Sequence, residues 1–328
     1  MAEYKQLHGT NIETVSSDPS NPVNGQVWYN STDKVLKGFI SNPVGAWATG
    51  GALNTGRYAI SSAKLGTQTA SLGFGGTTAA PAKTGEAESY NGSSWTEVAE
   101  LNTARDVLAG LGTQTAAIAA GGTVSPGNTA NTESWDGSSW TEVSNLNTAR
   151  IQLVGTGTST AGLAFGGSPD GSTYLAVNET WDGSSWTEVG DLNTAKYGLG
   201  GAGTNTAALA IGGYTGSPVN ETETWNGSTW TEVANLNSSR SSMTGAGHTN
   251  TAAMAFGGAS PPISANTELW NGTSWTETTN MSTGREYLAG AGTPTSALAF
   301  GGQPASPNGT LTEEWTAPTT STVTFANS

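Results

Sequence analysis

A glycine pair returns at even intervals along this chain: Gly75-Gly76, Gly121-Gly122, Gly166-Gly167, Gly212-Gly213, Gly257-Gly258 and Gly301-Gly302, always 44 to 46 residues apart. A period of this kind assigns nearly all of the 328 residues to one repeat architecture, although the length alone would allow two or three ordinary domains. After each pair comes Glu-x-aromatic: Glu88 and Tyr90, Glu133 and Trp135, Glu179 and Trp181, Glu223 and Trp225, Glu268 and Trp270, Glu313 and Trp315. In all but the last unit a further tryptophan follows five residues later, at Trp95, Trp140, Trp186, Trp230 and Trp275. Between the two aromatics lies Asn-Gly or Asp-Gly, dipeptides that accept the positive φ of a tight hairpin turn. Ten residues beyond each of these tryptophans stands a base, Arg105, Arg150, Lys196, Arg240 or Arg285, and Arg57 stands ten beyond Trp47.

Between the base and the glycine pair lie a run of small residues (107–111, for example), a Thr-x-Thr turn, and a second run such as 161–165. These read as strands one and two, and the two aromatic-bearing runs as strands three and four of a hairpin. Four strands at this period match the blades of WD-repeat and kelch propellers and exceed the periods of ankyrin or leucine-rich repeats. Composition agrees, since 46 glycines and only 11% charged residues suit short strands and many turns and suit long helices poorly. The expected fold class is all-β. With no cysteine in the chain, packing must hold it together, and the tryptophans are the plates expected to fill the wedges between units.

The order base, apolar strand, Gly-Gly, Glu-x-aromatic, Trp resembles the kelch repeat over residues 47–315, departing from it in alanine-rich second strands and in tryptophan where kelch has tyrosine. Six copies in register imply a six-bladed β-propeller. The sixth unit reaches Trp315 without a second tryptophan, and Trp47 is the spare. It precedes Leu53-Asn54-Thr55-Gly56-Arg57 by the spacing at which Trp95 precedes Leu101-Asn102-Thr103-Ala104-Arg105. An N-terminal strand is therefore expected to complete the last blade and remove an exposed sheet edge. The alternating stretch Thr322-Val323-Thr324-Phe325 is the other candidate for that strand. The expected division is a leader over 1–43, the propeller over 44–316 and a tail over 317–328.

Within the leader, two apolar runs flank a polar turn and read as a β-hairpin. The pattern Asn24-Gly25-Gln26-Val27-Trp28-Tyr29-Asn30-Ser31-Thr32, followed later by Gly45-Ala46-Trp47, resembles a segment at the start of tail-fibre and other virion proteins of bacteriophages. With the kelch-like units, the chain is similar to virion structural proteins of marine cyanophages. That resemblance implies a non-enzymatic tail fibre, decoration or adhesin module, located in the virion, with other virion proteins and a host-surface glycan as partners. A bacterial carbohydrate-binding or adhesion propeller is the alternative, and a glycan-active enzyme a third class. The net charge of −14 repels phosphate backbones and anionic lipid, so nucleic acid is not an expected partner. No run approaches the ~20 apolar residues of a membrane span, and no signal-peptide pattern opens the sequence.

Candidate site residues follow from the symmetry and from its breaks. Arg57, Arg105, Arg150, Lys196, Arg240 and Arg285 occupy one repeat position, so they form a ring that symmetry places near a central channel. A structural role is expected for them, each paired with a repeat carboxylate such as Glu88, Glu133 or Glu97. Length and sequence vary after Gly-Gly, in the loops 77–87, 123–132, 168–178 and 214–222, on the face that carries the bases. Binding usually resides in such loops, which makes Tyr174, Tyr214 and Asp170 the candidate ligand residues. Residues 134–140 resemble the Asp-box of sialidase propellers, but Gly137 follows Asp136 directly where that motif has an intervening residue. Only His8 and His248 could supply imidazole, and the loop 168–178 holds a single acid, so neither a metal nor a cofactor is expected.

Overall fold

The computed structural model describes residues 12–23, 25–42, 45–304 and 309–325, and His8 lies outside them. Every regular element among these residues is a β-strand. The chain separates into two compact units, Ala46–Thr316 and, apart from it, Met1–Gly45 with Ala317–Ser328.

In Ala46–Thr316 the described residues form six four-stranded antiparallel sheets, a β-propeller-like arrangement. The second sheet is representative: Ala109–Thr113, Ala116–Ala120, Thr132–Trp135 and Trp140–Val143 pair in that order. Trp135 and Trp140 stand opposite each other across the hairpin, and Glu133 opposite Glu142. In the sixth sheet, Ala289–Thr293, Ser296–Phe300 and Thr312–Thr316 are joined by Ala46–Thr49, with Trp47 opposite Trp315.

The innermost strand of each sheet packs against that of the next. This proximity explains the small residues there: a Cβ added at Gly110 would lie 2.2 Å from the Ser62 carbonyl oxygen. Apolar clusters fill the wedges. Phe74 of the first sheet meets Trp140 of the second at a centroid distance of 5.0 Å, Phe165 meets Trp230 at 4.9 Å, and Phe300 of the sixth meets Trp95 of the first at 4.6 Å. The indoles of Trp95, Trp186 and Trp275 donate to the hydroxyls of Thr312, Thr132 and Thr222 in the neighbouring sheet. At the first sheet the equivalent of those threonines is Ala87, and the Trp140 indole N–H has no partner.

The other unit is a single sheet in which Glu13–Val15 lies parallel to Val27–Asn30, which forms the expected hairpin with Val35–Asn42. Thr319–Phe325 adds to the far edge of Val35–Asn42, so the terminal stretch pairs here. Asp18 accepts from the Trp28 indole, the Asn30 amide and the Lys37 ammonium, and these bonds bring its carboxyl down to about 2.

Candidate functional site

Each connector that leads into a sheet carries its base three residues after an asparagine or serine, and both residues are spent on one glutamate of that sheet. Arg105 Nη2 lies 3.0 Å from Glu133 Oε1, while the backbone N–H and side-chain amide of Asn102 donate to Glu133 Oε2. The same pairing recurs as Arg57 with Glu88, Arg150 with Glu179, Lys196 with Glu223, Arg240 with Glu268 and Arg285 with Glu313, at 2.8 to 3.0 Å. All twelve side chains are fully or almost fully buried. Burial pushes the arginines below their ordinary range, opposed by the facing glutamate. Glu97, the third carboxylate considered from sequence, is exposed and takes no base.

The backbone of the base serves the preceding sheet. Gly76 N–H donates to the Arg105 carbonyl at 2.9 Å, and the second glycine of every pair repeats this with the next base. A Cβ on Gly75 would fall 2.6 Å from that carbonyl oxygen, and both glycines have positive φ, 66° and 109°. The glycine pair is thus required by close approach as well as by dihedral. Each base therefore fastens two sheets, its carbonyl to one and its side chain to the next.

Two residues past the base the chain enters the left-handed region, at Ala59, Val107, Gln152, Gly198, Ser242 and Tyr287. Val107 thus precedes the first strand, which starts at Ala109 and not where the run of small residues begins. The N–H of each such residue donates to the carbonyl of its counterpart one unit earlier, at 2.6 to 3.0 Å. The series returns on itself when Ala59 donates to Tyr287.

Directly inside this cycle lies a cavity of about 90 Å³ to which all six sheets contribute. None of the six bases lines it, which corrects the placement of that ring near the channel: periodicity makes the bases equivalent, but their long side chains turn outward into the sheets, where the glutamates are. The base that does line the cavity is Lys64. It stems from the first unit, whose base-to-glycine interval is two residues longer than in most others. Its ammonium reaches Thr244 Oγ1 of the fifth sheet at 2.7 Å. Lys64 keeps part of its accessible surface, yet the atoms packed about its ammonium withdraw it from bulk water and bring it down to about 8.

The variable loops follow the glycine pairs at the same end of the sheets as the connectors, as the bridges Asp106 to Thr123, Ile151 to Ser168 and Tyr197 to Tyr214 establish. Tyr174 and Tyr214, selected from sequence, come together with Tyr197, which was not. The ring centroids are 6.0 Å apart for Tyr174 and Tyr214, 5.5 Å for Tyr174 and Tyr197, and 5.3 Å for Tyr197 and Tyr214. All three are half-buried, and none of their hydroxyls has a hydrogen-bond partner among the described residues. Burial raises the Tyr197 phenol, helped by Tyr287, Tyr214 and Tyr174. Asp170, the third residue selected, is turned on its own loop: it accepts from the backbone and hydroxyls of Ser172 and Thr173, which hold its carboxyl well below the usual range.

At the opposite end, Asp136 accepts from the Ser138 and Ser139 backbone N–H groups at 2.8 and 2.9 Å, and Asn91, Asp182, Asn226 and Asn271 close equivalent turns. His248 sits near this end with Nε2 3.4 Å from the Gly66 carbonyl oxygen. No cluster of three or more metal-ligating side chains occurs among the described residues. The connector asparagines and Lys64 were open to detection in the sequence, the first as Leu-Asn-x-x-base and the second as a base out of register; Tyr197 had no such signal because it stands in a connector of constant length. No family model matches the chain, and no curated protein matches it.

Proposed function

We propose that Ala46–Thr316 is a six-bladed β-propeller of kelch-like units, completed by Ala46–Thr49, that acts as a non-enzymatic binding module on a phage particle, as a tail fibre, decoration or adhesin. The inter-sheet cores that run on from the sixth sheet to the first, and the cycle of backbone bonds, support the closed ring. The pairing of the repeat bases with the repeat glutamates supports a binding role over a catalytic one, because the charges that symmetry supplies are spent on the scaffold.

The single observation that carries the binding reading is the tyrosine cluster. On a scaffold whose other features repeat, Tyr174, Tyr197 and Tyr214 occur together once, at the end that carries the variable loops. Rings with free hydroxyls stack on the apolar face of a sugar and hydrogen-bond to its rim, so a host-surface glycan is the ligand class that fits. The phage setting rests on the leader. The exposed large apolar residues among those described, Ile12, Val23 and Tyr29 of the leader and Phe325 of the tail, all belong to the smaller unit, and Tyr29, Leu36 and Phe325 lie in one cross-strand row, a surface suited to attachment to other virion proteins.

A glycan array and a host-cell binding assay with the purified protein test this reading. Binding that falls at least tenfold in both Tyr174→Ala and Tyr197→Ala, with melting unchanged, is the expected result. No binding at micromolar protein would leave a purely structural role, and absence of the chain from purified particles by mass spectrometry would remove the virion assignment.

A further inference from the structure

We propose that the axial cavity of Ala46–Thr316 is a binding site for a small carboxylate, with Lys64 as the group that holds it. This inference does not depend on glycan binding at the tyrosines.

Three observations converge on the cavity. Among the described residues of this unit, Lys64 is the one base without a carboxylate within ion-pair reach; the six repeat bases have their glutamates and Lys83 has Asp106. The side chain that delivers it belongs to a local lengthening of the first unit and spans to the fifth, so its ammonium is presented to the axis by a departure from the repeat. Lys64 itself has only neutral acceptors, Thr244 Oγ1 at 2.7 Å and the Gly245 carbonyl oxygen at 3.4 Å, while the Ser61 and Ser242 hydroxyls, which can donate to an anion, line the cavity and make no hydrogen bond among the described residues. A half-buried cation lacking a counter-charge gains from an anion that joins it.

The chemistry of the site selects the anion. One ammonium and a few hydroxyls match a single negative charge. The backbone N–H groups that could cradle a phosphate are committed to one another in the axial cycle, and no arginine faces in. Leu108, Leu153 and Leu288 give the wall an apolar part, with Tyr287 also lining it. A cavity of about 90 Å³ accepts a carboxylate group with a short apolar body. Tyr287 and His248 are the titratable groups on the elements packed about Lys64, and no carboxylate lines the cavity.

Acetate and propionate, with phosphate as comparison, are the probes, titrated into the full chain while the Lys64 ¹³Cε resonance and the bound fraction are followed by NMR. The expected result is saturable acetate binding that raises the pH at which Lys64 titrates and weakens at least tenfold from pH 7.5 to 9.5. Lys64→Met and Lys64→Gln should each weaken it at least tenfold, whereas His248→Gln leaves it unchanged. Thr244→Val should weaken it severalfold while preserving the fold, which separates loss of the site from loss of structure. Acetate binding that survives Lys64→Met, Lys64-dependent phosphate binding tighter than that of acetate, or no saturable binding would each overturn the proposal.

Discussion

Gly302 donates its backbone N–H to the carbonyl oxygen of Arg57 at 2.9 Å, joining the sixth sheet to the connector that enters the first. Arg57 at the same time holds Glu88 with its side chain, so the junction between the ends of the unit uses the same double fastening as every internal junction. In the proposed ring, Ala46–Thr49 completes the last blade. A chain starting at Gly50 would keep the Arg57 fastening but leave Thr312–Thr316 as an unpaired edge. It is expected to melt lower and to elute partly as aggregate by size-exclusion chromatography. Melting and elution identical to those of the full chain would refute closure by this strand.

Removing one partner of a buried pair strands the other. Arg150→Ala should destabilise by about 3–5 kcal/mol in urea titrations, because Glu179 would be left buried without its partner. Replacing both, as Arg150→Met with Glu179→Leu, should recover much of that loss. Equal losses in the single and double variants would mean that the pair itself, and not the stranded charge, carries the stability.

Trp140→Ala should cost about 3–5 kcal/mol, as truncations of large core aromatics do. The orphaned Trp140 indole also points to a gain: Ala87→Thr places a hydroxyl where three other sheets use Thr312, Thr132 and Thr222. A rise of about 1 kcal/mol is expected from the added hydrogen bond, measured by calorimetry. A loss would mean that the first sheet is too tightly packed to accept the side chain.

Lys64 titrates near 8 in the folded chain, against 10.5 when solvated. Between these values the unfolded state binds more protons than the folded one, so stability rises with pH across this window, and below about pH 8 the full penalty is present. The penalty is on the order of 2 kcal/mol, allowing for the surface the side chain keeps. Lys64→Met should therefore melt higher at pH 7 than the parent and lose the rise between pH 8 and 10. A parent whose stability is flat over that range would show that the ammonium is well solvated.

Much of the scaffold is legible in the spacing. Glu133, Trp135, Trp140 and Arg105 lie at fixed intervals because each discharges one task per sheet, and the same intervals located the hairpins and the connectors. Radial position is not encoded this way. Equivalence gives the six bases one repeat position but says nothing of their depth in the sheets, which is set by where the glutamates are buried. The left-handed residues were invisible for a related reason: the cycle uses only backbone atoms, so Val107, Gln152 and Tyr287 stand where Gly198 stands in the fourth unit, although positive φ costs them what it does not cost glycine. The tyrosine cluster was half visible, since two members stand in variable loops and Tyr197 does not.

Thr316 lies opposite Ala46 in the last ladder, so both ends of the larger unit leave from the same corner of one sheet. A force that separates those two exits would open the ladder like a zipper, breaking one pair at a time from Thr316 and Ala46 inward. A force applied elsewhere on the unit and resisted at both exits together pulls them in a common direction, and the ladder then carries no opening load. The fold is mechanically weak to one geometry of tension and shielded from the other, and tethering at both ends is the arrangement that keeps it shielded.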